Sequence, residues 1–423
     1  MSTSLLYHTQ GIQGFKHVKF TYRNGCVVEE IAAMHFSCRF CRSRNVSVYK
    51  RGRRVVTGLP YGCKPLLIAF DVHSIYCHNC QRQSAERFPF LSSPKSRITK
   101  QLERTLVEYR SSMSVLALSS YFSVRWHTIK AVLVRHLRKE YEHVSCKGVT
   151  AIGIDEIMVG HLPDGRQDYK TIVRDLHSGA VLWVGDGKGQ NALDGFGKRL
   201  IRSNANIQYV TMDLGHPFSA WVKANLPNAV IVYDHFHVIK LMNEAVDKVR
   251  RRVMSEMDEE ERLDIKRQRF IFLRNKEDLK PETQMHLERL NHIYKDLGTV
   301  HMMKEDLRSI YRVGTNRSEG ACQLKQWATS ALQTAIRELV KMGKCVMRHL
   351  DGIASFWENR LTNSHMEGFN SKLRGMIKMA YCYRDEDFFK LKIYDLPDNK
   401  IIDLTHVPLH ELKRQIVFGY STT

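Results

Sequence analysis

The sequence predicts an α/β protein assembled from successive blocks, and three observations carry that prediction. Residues 25–90 are dense in β-branched and aromatic residues, with Gly and Pro punctuation, and hold two Cys-x-x-Cys pairs. Residues 114–133 place apolar positions at helical spacing on either side of a short break. From Val149 onward, short strand-like runs divided by glycines give way near residue 240 to a long, charged, helical stretch.

Composition bounds the function before any motif does. At 423 residues with 43% hydrophobic content, the chain can bury two or three cores, which excludes a disordered protein. The formal net charge of +21, from 65 Lys+Arg against 44 Asp+Glu, implies a polyanionic partner. Duplex DNA fits, because each phosphate neutralised releases condensed counterions. An anionic membrane fits less well, since no uninterrupted apolar run of about 18 residues occurs. Residues 1–30 lack a basic region followed by an apolar stretch and a cleavage site, so the expected location is the cytoplasm. Thiols stay reduced there, and the ten cysteines are read for spacing rather than for disulfides. Cys26, Cys63, Cys146, Cys322, Cys345 and Cys382 are scattered, as small core residues are.

The β-rich module comes first. A thiolate pair two residues apart can grip one zinc ion from a tight turn, and two such knuckles complete a four-sulfur site. Cys38-Arg39-Phe40-Cys41 and Cys77-His78-Asn79-Cys80 supply them, and the strand-like sequence between them can return the chain to the metal. The site expected is structural Zn²⁺ held by Cys38, Cys41, Cys77 and Cys80. A pair of redox motifs is the alternative, and His73 or His78 could replace a sulfur.

A Pro/Ser stretch at 92–96 separates this module from helical sequence over 99–143. Within it, residues 114–133 read as two helices joined by a short turn, with Ile129, Val132 and Leu133 on the inner face of the second. As a helix-turn-helix, it would turn Arg125, Trp126, His127 and Lys130 toward DNA. An ordinary helical hairpin is the alternative.

The α/β block carries the sharpest signal. Strand-like runs fall at 151–159, 169–176, 180–185, 207–212 and 229–233. The first contains Asp155, and the fourth leads into Asp213, ahead of a helix start at His216-Pro217. An apolar strand ending in an acid delivers a carboxylate to a sheet edge. Glu367, in a helical segment far along the chain, can supply a third. Three converging carboxylates repel one another unless cations lie between them, and two magnesium ions about 4 Å apart suit phosphodiester chemistry. A lone strand-end or cap acid carries no such meaning.

Together these blocks resemble the transposases of the bacterial insertion-sequence family named ISL-three, through nearly the whole chain. The knuckles with Leu59-Pro60 and Gly62 between them resemble its zinc module, and residues 114–133 its helix-turn-helix. Gly153-Ile-Asp155-Glu156, Asp213 and Glu367-Gly-Phe-Asn370 resemble its three catalytic stations. Thr362, Asn363, Asn370, Lys372, Lys378, Tyr381 and Arg384 match its end motif in order.

The resemblance implies an RNase H-like catalytic domain at 148–240 and 356–396, with a large all-α insertion at 241–355. A zinc-binding module at 1–92 and a helix-turn-helix region at 93–147 would precede it, and a tail at 397–423 would follow. It further implies a DDE transposase that binds terminal inverted repeats and target DNA. Such an enzyme cleaves and joins strands with Mg²⁺ or Mn²⁺ at Asp155, Asp213 and Glu367, as a dimer or higher oligomer associated with the nucleoid. Asn370, Lys372, Lys378 and Arg384 would contact DNA.

Asp234-His-Phe-His237 resembles a D-x-x-H signature in which His237 touches the scissile phosphate; the alternative is a helix cap followed by a satisfied histidine. Trp327 matches a tryptophan of the insertion that could stack on a flipped base, or simply fill a helical core. Two positions depart from the pattern: Cys382 stands where glycine is usual, and Gly58 replaces a common acid. Two other functions compete, a DNA-binding regulator derived from a decayed transposase and an RNase H-like nuclease without strand transfer.

Overall fold

A computed structural model describes residues 5–214, 217–380 and 383–397. They form two compact units, one running to His143 and including Met376–Leu396, the other Val144–Gly375.

The first unit opens with α1 (Leu5–Gln10) and a sheet of β1 (Phe15–Arg23), β2 (Cys26–Ala33), β3 (Val46–Tyr61), β4 (Lys64–Cys77) and β5 (Gln83–Ala85). The order is β1-β2-β4-β3, with β5 on β4. Asn24 and Gly25 join β1 to β2 with φ of 48° and 80°, the left-handed pair that a type I′ hairpin requires. The β-rich stretch therefore begins ahead of residue 25, within the span 1–92 expected for the module. Its first strand escapes a sequence reading because it is an edge strand: only Phe15 is buried, so no alternation marks it. The Gly58–Gly62 punctuation is not one turn. Pro60 lies inside β3 where the register shifts between Gly58 and Tyr61, and the turn itself is at Gly62, φ 61°.

Helices α2 (Lys100–Glu108), α3 (Val115–Phe122) and α4 (Trp126–Tyr141) follow. Thr99 caps α2 and Ser114 caps α3 through their side chains. Leu102, Leu106, Leu118, Phe122, Ile129, Val132, Leu133 and Leu137 form their shared core. A C-terminal helix, Glu386–Tyr394, adds Phe388 to it. Buried Arg110 clamps this helix, donating to both carboxylate oxygens of buried Asp395 at 2.7–3.0 Å.

The second unit centres on a sheet of β6 (Ala151–His161), β7 (Gln167–Asp175), β8 (Val181–Asp186), β9 (Tyr209–Met212) and β10 (Val230–Tyr233), ordered β10-β9-β6-β7-β8. β6, β7 and β8 form an antiparallel meander, and β9 and β10 run parallel to β6. Helix α5 (Asp194–Ser203) leads into β9, and α6 (Phe218–Asn225), capped by Pro217, leads into β10. His216 lies outside the described residues.

Helices α7 (His235–Ser255), α8 (Glu259–Arg267), α9 (Arg269–Leu273), α10 (Pro281–Ile293), α11 (Lys295–Val313), α12 (Arg317–Gln333), α13 (Arg337–Arg348), α14 (Leu350–Ala354) and α15 (Phe356–Asn359) then intervene before α16 (Ser364–Met379). One continuous apolar core runs from Ile152 and Val210 of the sheet through Val246 of α7 to Leu324 and Leu339. Trp327 belongs to that core: it is 5% exposed and its Nε1 donates to Met303 O at 2.8 Å. No helix among the described residues is long and apolar enough to cross a membrane.

Candidate functional site

Two sites emerge, one in each unit. In the first, the turns after β2 and β4 bring Cys38, Cys41, Cys77 and Cys80 together with all four sulfurs within 4.8 Å of one another. The two turns share one shape. The residue after each second cysteine, Arg42 and Gln81, has φ of 59° and 53°, and the first cysteine's N–H is bonded back across each loop, from Cys38 to Ser43 O and from Cys77 to Arg82 O. Cys38–Cys80 and Cys41–Cys77 are each 3.5 Å apart. A zinc–sulfur tetrahedron with bonds of about 2.3 Å has edges of about 3.8 Å, so the donors fit a zinc ion.

Electrostatics agree with that fit. Burial and then the neighbouring thiols Cys38, Cys77 and Cys41 push Cys80 up to about 12, a conflict that a dication relieves. His73 is engaged by Glu86 at 2.7 Å and His78 by Ser47 at 2.7 Å, which leaves the cluster all-sulfur. The scattered cysteines are not uniformly core residues. Cys146 is buried, but Cys63, in the β3–β4 turn, and Cys322 are exposed; Cys382 lies outside the described residues.

On the helical pair, Arg125, Trp126 and His127 are exposed at the head of α4. Lys130 differs. Its Nζ donates to Asp385 and lies over the rings of Trp126 and Phe388, so the C-terminal helix takes up part of its charge.

In the second unit the sheet register aligns the acids. Gly153 pairs with Thr211 and Met212 with Tyr233, all in parallel. Carried forward at the same offset, Asp155, Asp213 and Asp234 stand abreast across three neighbouring strands. Asp234 N donates to Met212 O at 3.2 Å, which extends the ladder to that point. Space is tight here: a Cβ on Gly153 would lie 3.2 Å from Thr211 Oγ1 and 3.3 Å from Asn363 Oδ1.

Helix α16 lies across this row. Asn363, at its head, accepts from Thr211 Oγ1 at 2.8 Å, and its N–H reaches Asp234 Oδ1 at 3.5 Å. Two turns on, Asn370 Nδ2 donates to Asp155 Oδ2 at 2.6 Å. Positions 363, 367 and 370 share one helical face, so Glu367 lies between two anchors. Glu367 is exposed, and among the described residues the three expected acids do not draw within 4.8 Å of one another as the thiols do. Its charge nonetheless reaches the row, raising Asp234 after the larger effects of burial and Asp213.

Burial, followed by the charges of Asp213 and Glu156, pushes the Asp155 carboxyl up to about 7. His237 Nδ1 lies 3.1 Å from Asp213 Oδ2, and this bond raises the imidazole above its ordinary value. Acids near enough to raise one another in this way suit a divalent cation.

Asn370 is buried and committed to Asp155 rather than turned outward, whereas Lys372, Lys378 and Arg384 are exposed. Tyr381 lies outside the described residues. A sequence reading passed over Asp234 as an acid of the row and Asn363 as the anchor of α16. The signal was there for Asp234: Val-Tyr-Asp repeats the apolar-run-then-acid pattern of Thr-Met-Asp213. Arg174, buried in β7 beneath the Phe369 ring at 4.5 Å, supports α16 from below.

A model of the ISL-three DDE family, described as Transposase, matches residues 152–393. The chain is 28% identical over 363 residues to the transposase for insertion sequence element IS1001 of Bordetella parapertussis, covering 84% of this chain and 87% of that one. It is 24% identical over 296 residues to the transposase for insertion sequence element IS1557 of Mycobacterium tuberculosis, covering 64% of this chain and 65% of that one.

Proposed function

Because the chain belongs to the ISL-three family of DDE transposases, we propose that it binds the terminal inverted repeats of its insertion sequence and cleaves and joins DNA strands. Asp155, Asp213 and Glu367 are the catalytic carboxylates of this reading. The observation that carries it is the double anchoring of α16, the helix that bears Glu367, by Asn363 on Thr211 and by Asn370 on Asp155.

In the RNase H-like reading, residues 148–240 and 356–396 form the catalytic domain around the all-α insertion at 241–355. The strand order β10-β9-β6-β7-β8, with its antiparallel meander, supports that topology. Residues 1–92, with zinc on Cys38, Cys41, Cys77 and Cys80, and the helix-turn-helix at 93–147 recognise the ends. Arg125, Trp126 and His127 face the bases, and Lys372, Lys378 and Arg384 contact phosphates. Joining two ends requires two catalytic sites, and the working form is a dimer or larger.

A pair of Mg²⁺ or Mn²⁺ ions among the acids would offset their repulsion and stabilise charge on the attacking and leaving oxygens. The chain's own groups do the rest. Asn370 orients the Asp155 carboxylate, and Asp213 orients His237, whose raised basicity keeps a proton available to a phosphate oxygen. Water attack on phosphorus breaks the P–O3′ bond and frees a 3′-hydroxyl; attack by that hydroxyl on a target phosphorus forms a new P–O3′ bond and breaks the target's own P–O3′ bond, whose oxygen leaves as a 3′-hydroxyl.

The test is a supercoiled plasmid carrying the cognate ends, with Mg²⁺ or Mn²⁺. Nicking and joining are expected from the wild type, and Asp155→Asn, Asp213→Asn or Glu367→Gln should each abolish both while end binding persists. Tight binding without either reaction would favour a regulator, and cleavage without joining a nuclease.

A further inference from the structure

Helix α7 starts beside the acid row and carries a second feature away from it. Phe236, Lys240, Glu244, Lys248 and Arg251 are all exposed, and their spacing puts them on one helical face. With Asn243, Asp247 and Arg269 they line a groove of about 550 Å³. From Phe236 to Arg251 the helix advances about 22 Å at about 1.5 Å per residue. That length spans about six phosphates of one strand at the duplex rise of about 3.4 Å, and fewer of an extended single strand.

The groove's chemistry favours a polyanion. Asp247, 8% exposed, is one carboxylate set against three guanidinium groups, Arg250 at 2.8 Å and Arg251 and Arg269 at 3.2 Å. One anion cannot neutralise three cations. It does order them, and Arg251 and Arg269 remain exposed with further N–H donors. Lys240 and Lys248 add two more positive charges along the same face, against the one carboxylate of Glu244 between them, so the groove stays net positive. At the head of the groove Phe236 is 52% exposed, between His235, whose ring packs on it at 3.9 Å, and His237, which bonds Asp213. Trp327, the aromatic that a sequence reading offered for base stacking, is buried in the helical core; Phe236 instead is an open ring beside the acids.

We propose that this face of α7 is a track for a single DNA strand flanking the scissile phosphate. Phe236 stacks on an unpaired base, and Lys240, Lys248 and the arginines ordered by Asp247 hold successive phosphates. The inference rests on reading the acid row as a phosphodiester-cleaving site, and it names where that site's flanking strand lies.

The experiment is fluorescence anisotropy of the full, zinc-loaded chain without added Mg²⁺ or Mn²⁺, where no cleavage is asked of it. The probes are a labelled oligothymidylate of about a dozen nucleotides and a duplex of similar length. All substitutions fall on exposed positions. Lys240→Glu with Lys248→Glu should weaken oligothymidylate binding at least about tenfold and lower the salt dependence by about two phosphates' worth. Phe236→Ala should cost at least about fivefold, and Phe236→Trp should restore it. Duplex binding, carried elsewhere, should move less than about twofold. Unchanged oligothymidylate binding in the double variant, or equal losses on both probes, overturns the track. Failure of the wild type to cleave plasmid DNA would refute the reading of the acids instead, by a readout this measurement does not share.

Discussion

Replacing Asp155 with asparagine should stabilise the Mg²⁺-free protein at pH 8 while removing its activity. In the folded chain, burial and the charges of Asp213 and Glu156 lift the carboxyl from 3.8 to about 7. An acid raised in this way holds its proton longer when folded than when unfolded. The stability it contributes is therefore complete below about pH 4 and is lost as pH rises through about 7. About three pH units at about 1.36 kcal/mol each give a cost of about 4 kcal/mol at pH 8. This is an upper value, because water reaching the partly exposed carboxylate screens the repulsion.

Asparagine keeps the shape and removes the charge. The buried Oδ1 of Asn370, which has no hydrogen-bond partner among the described residues, can accept from the new amide after a simple flip. Thermal denaturation of the zinc-loaded chain without added Mg²⁺ measures the balance. At about 2–4 °C per kcal/mol for a domain of this size, Asp155→Asn should melt several degrees above wild type at pH 8, and the gap should shrink by about 2–3 kcal/mol at pH 5. Mg²⁺ should raise the wild type's midpoint more than the variant's. A variant no more stable than wild type at pH 8, or a gap indifferent to pH, would refute the account of Asp155 as a carboxylate strained by its neighbours.

Three further outcomes are expected. Asp395→Ala strands the buried Arg110 guanidinium and should destabilise the first unit by about 3–5 kcal/mol in urea denaturation; a loss under about 1 kcal/mol would show that the C-terminal helix is held by other contacts. Cys77→Ser should drop bound zinc from one ion per chain to none by metal analysis and expose the β module to proteolysis, whereas an intact module would argue against a structural metal. Arg125→Ala should weaken binding to the terminal repeats and lower its salt slope by about one, while Lys130→Ala, already paired with Asp385, should do less. Equal effects would mean that Lys130 leaves Asp385 on binding DNA.

Much of this was readable because it is local. The knuckles need only two cysteines at fixed spacing and a return strand, and the helical pair needs a cap at Ser114 and Ile129, Val132 and Leu133 at helical intervals. The runs at 151–159 and 229–233 became β6 and β10 within two residues, since continuous apolar runs between turn residues have few other uses. The edge strand β1, with one buried residue, gives no such pattern, and the Gly and Pro punctuation at 58–62 does not reveal that a register shift shelters Pro60 inside β3.

What the amino-acid order determined by itself was therefore the inventory: which segments are strands or helices, which cysteines pair by spacing, and which acids end apolar strands. Tertiary structure alone decided how far those groups meet. Parallel register set Asp234 abreast of Asp155 and Asp213, Asn363 and Asn370 fastened α16 across them, and a helix from the chain's far end claimed Lys130. The physical reason is range. Periodicity and turn chemistry act over a few residues, whereas hydrogen bonds between positions more than 100 residues apart depend on how whole elements pack.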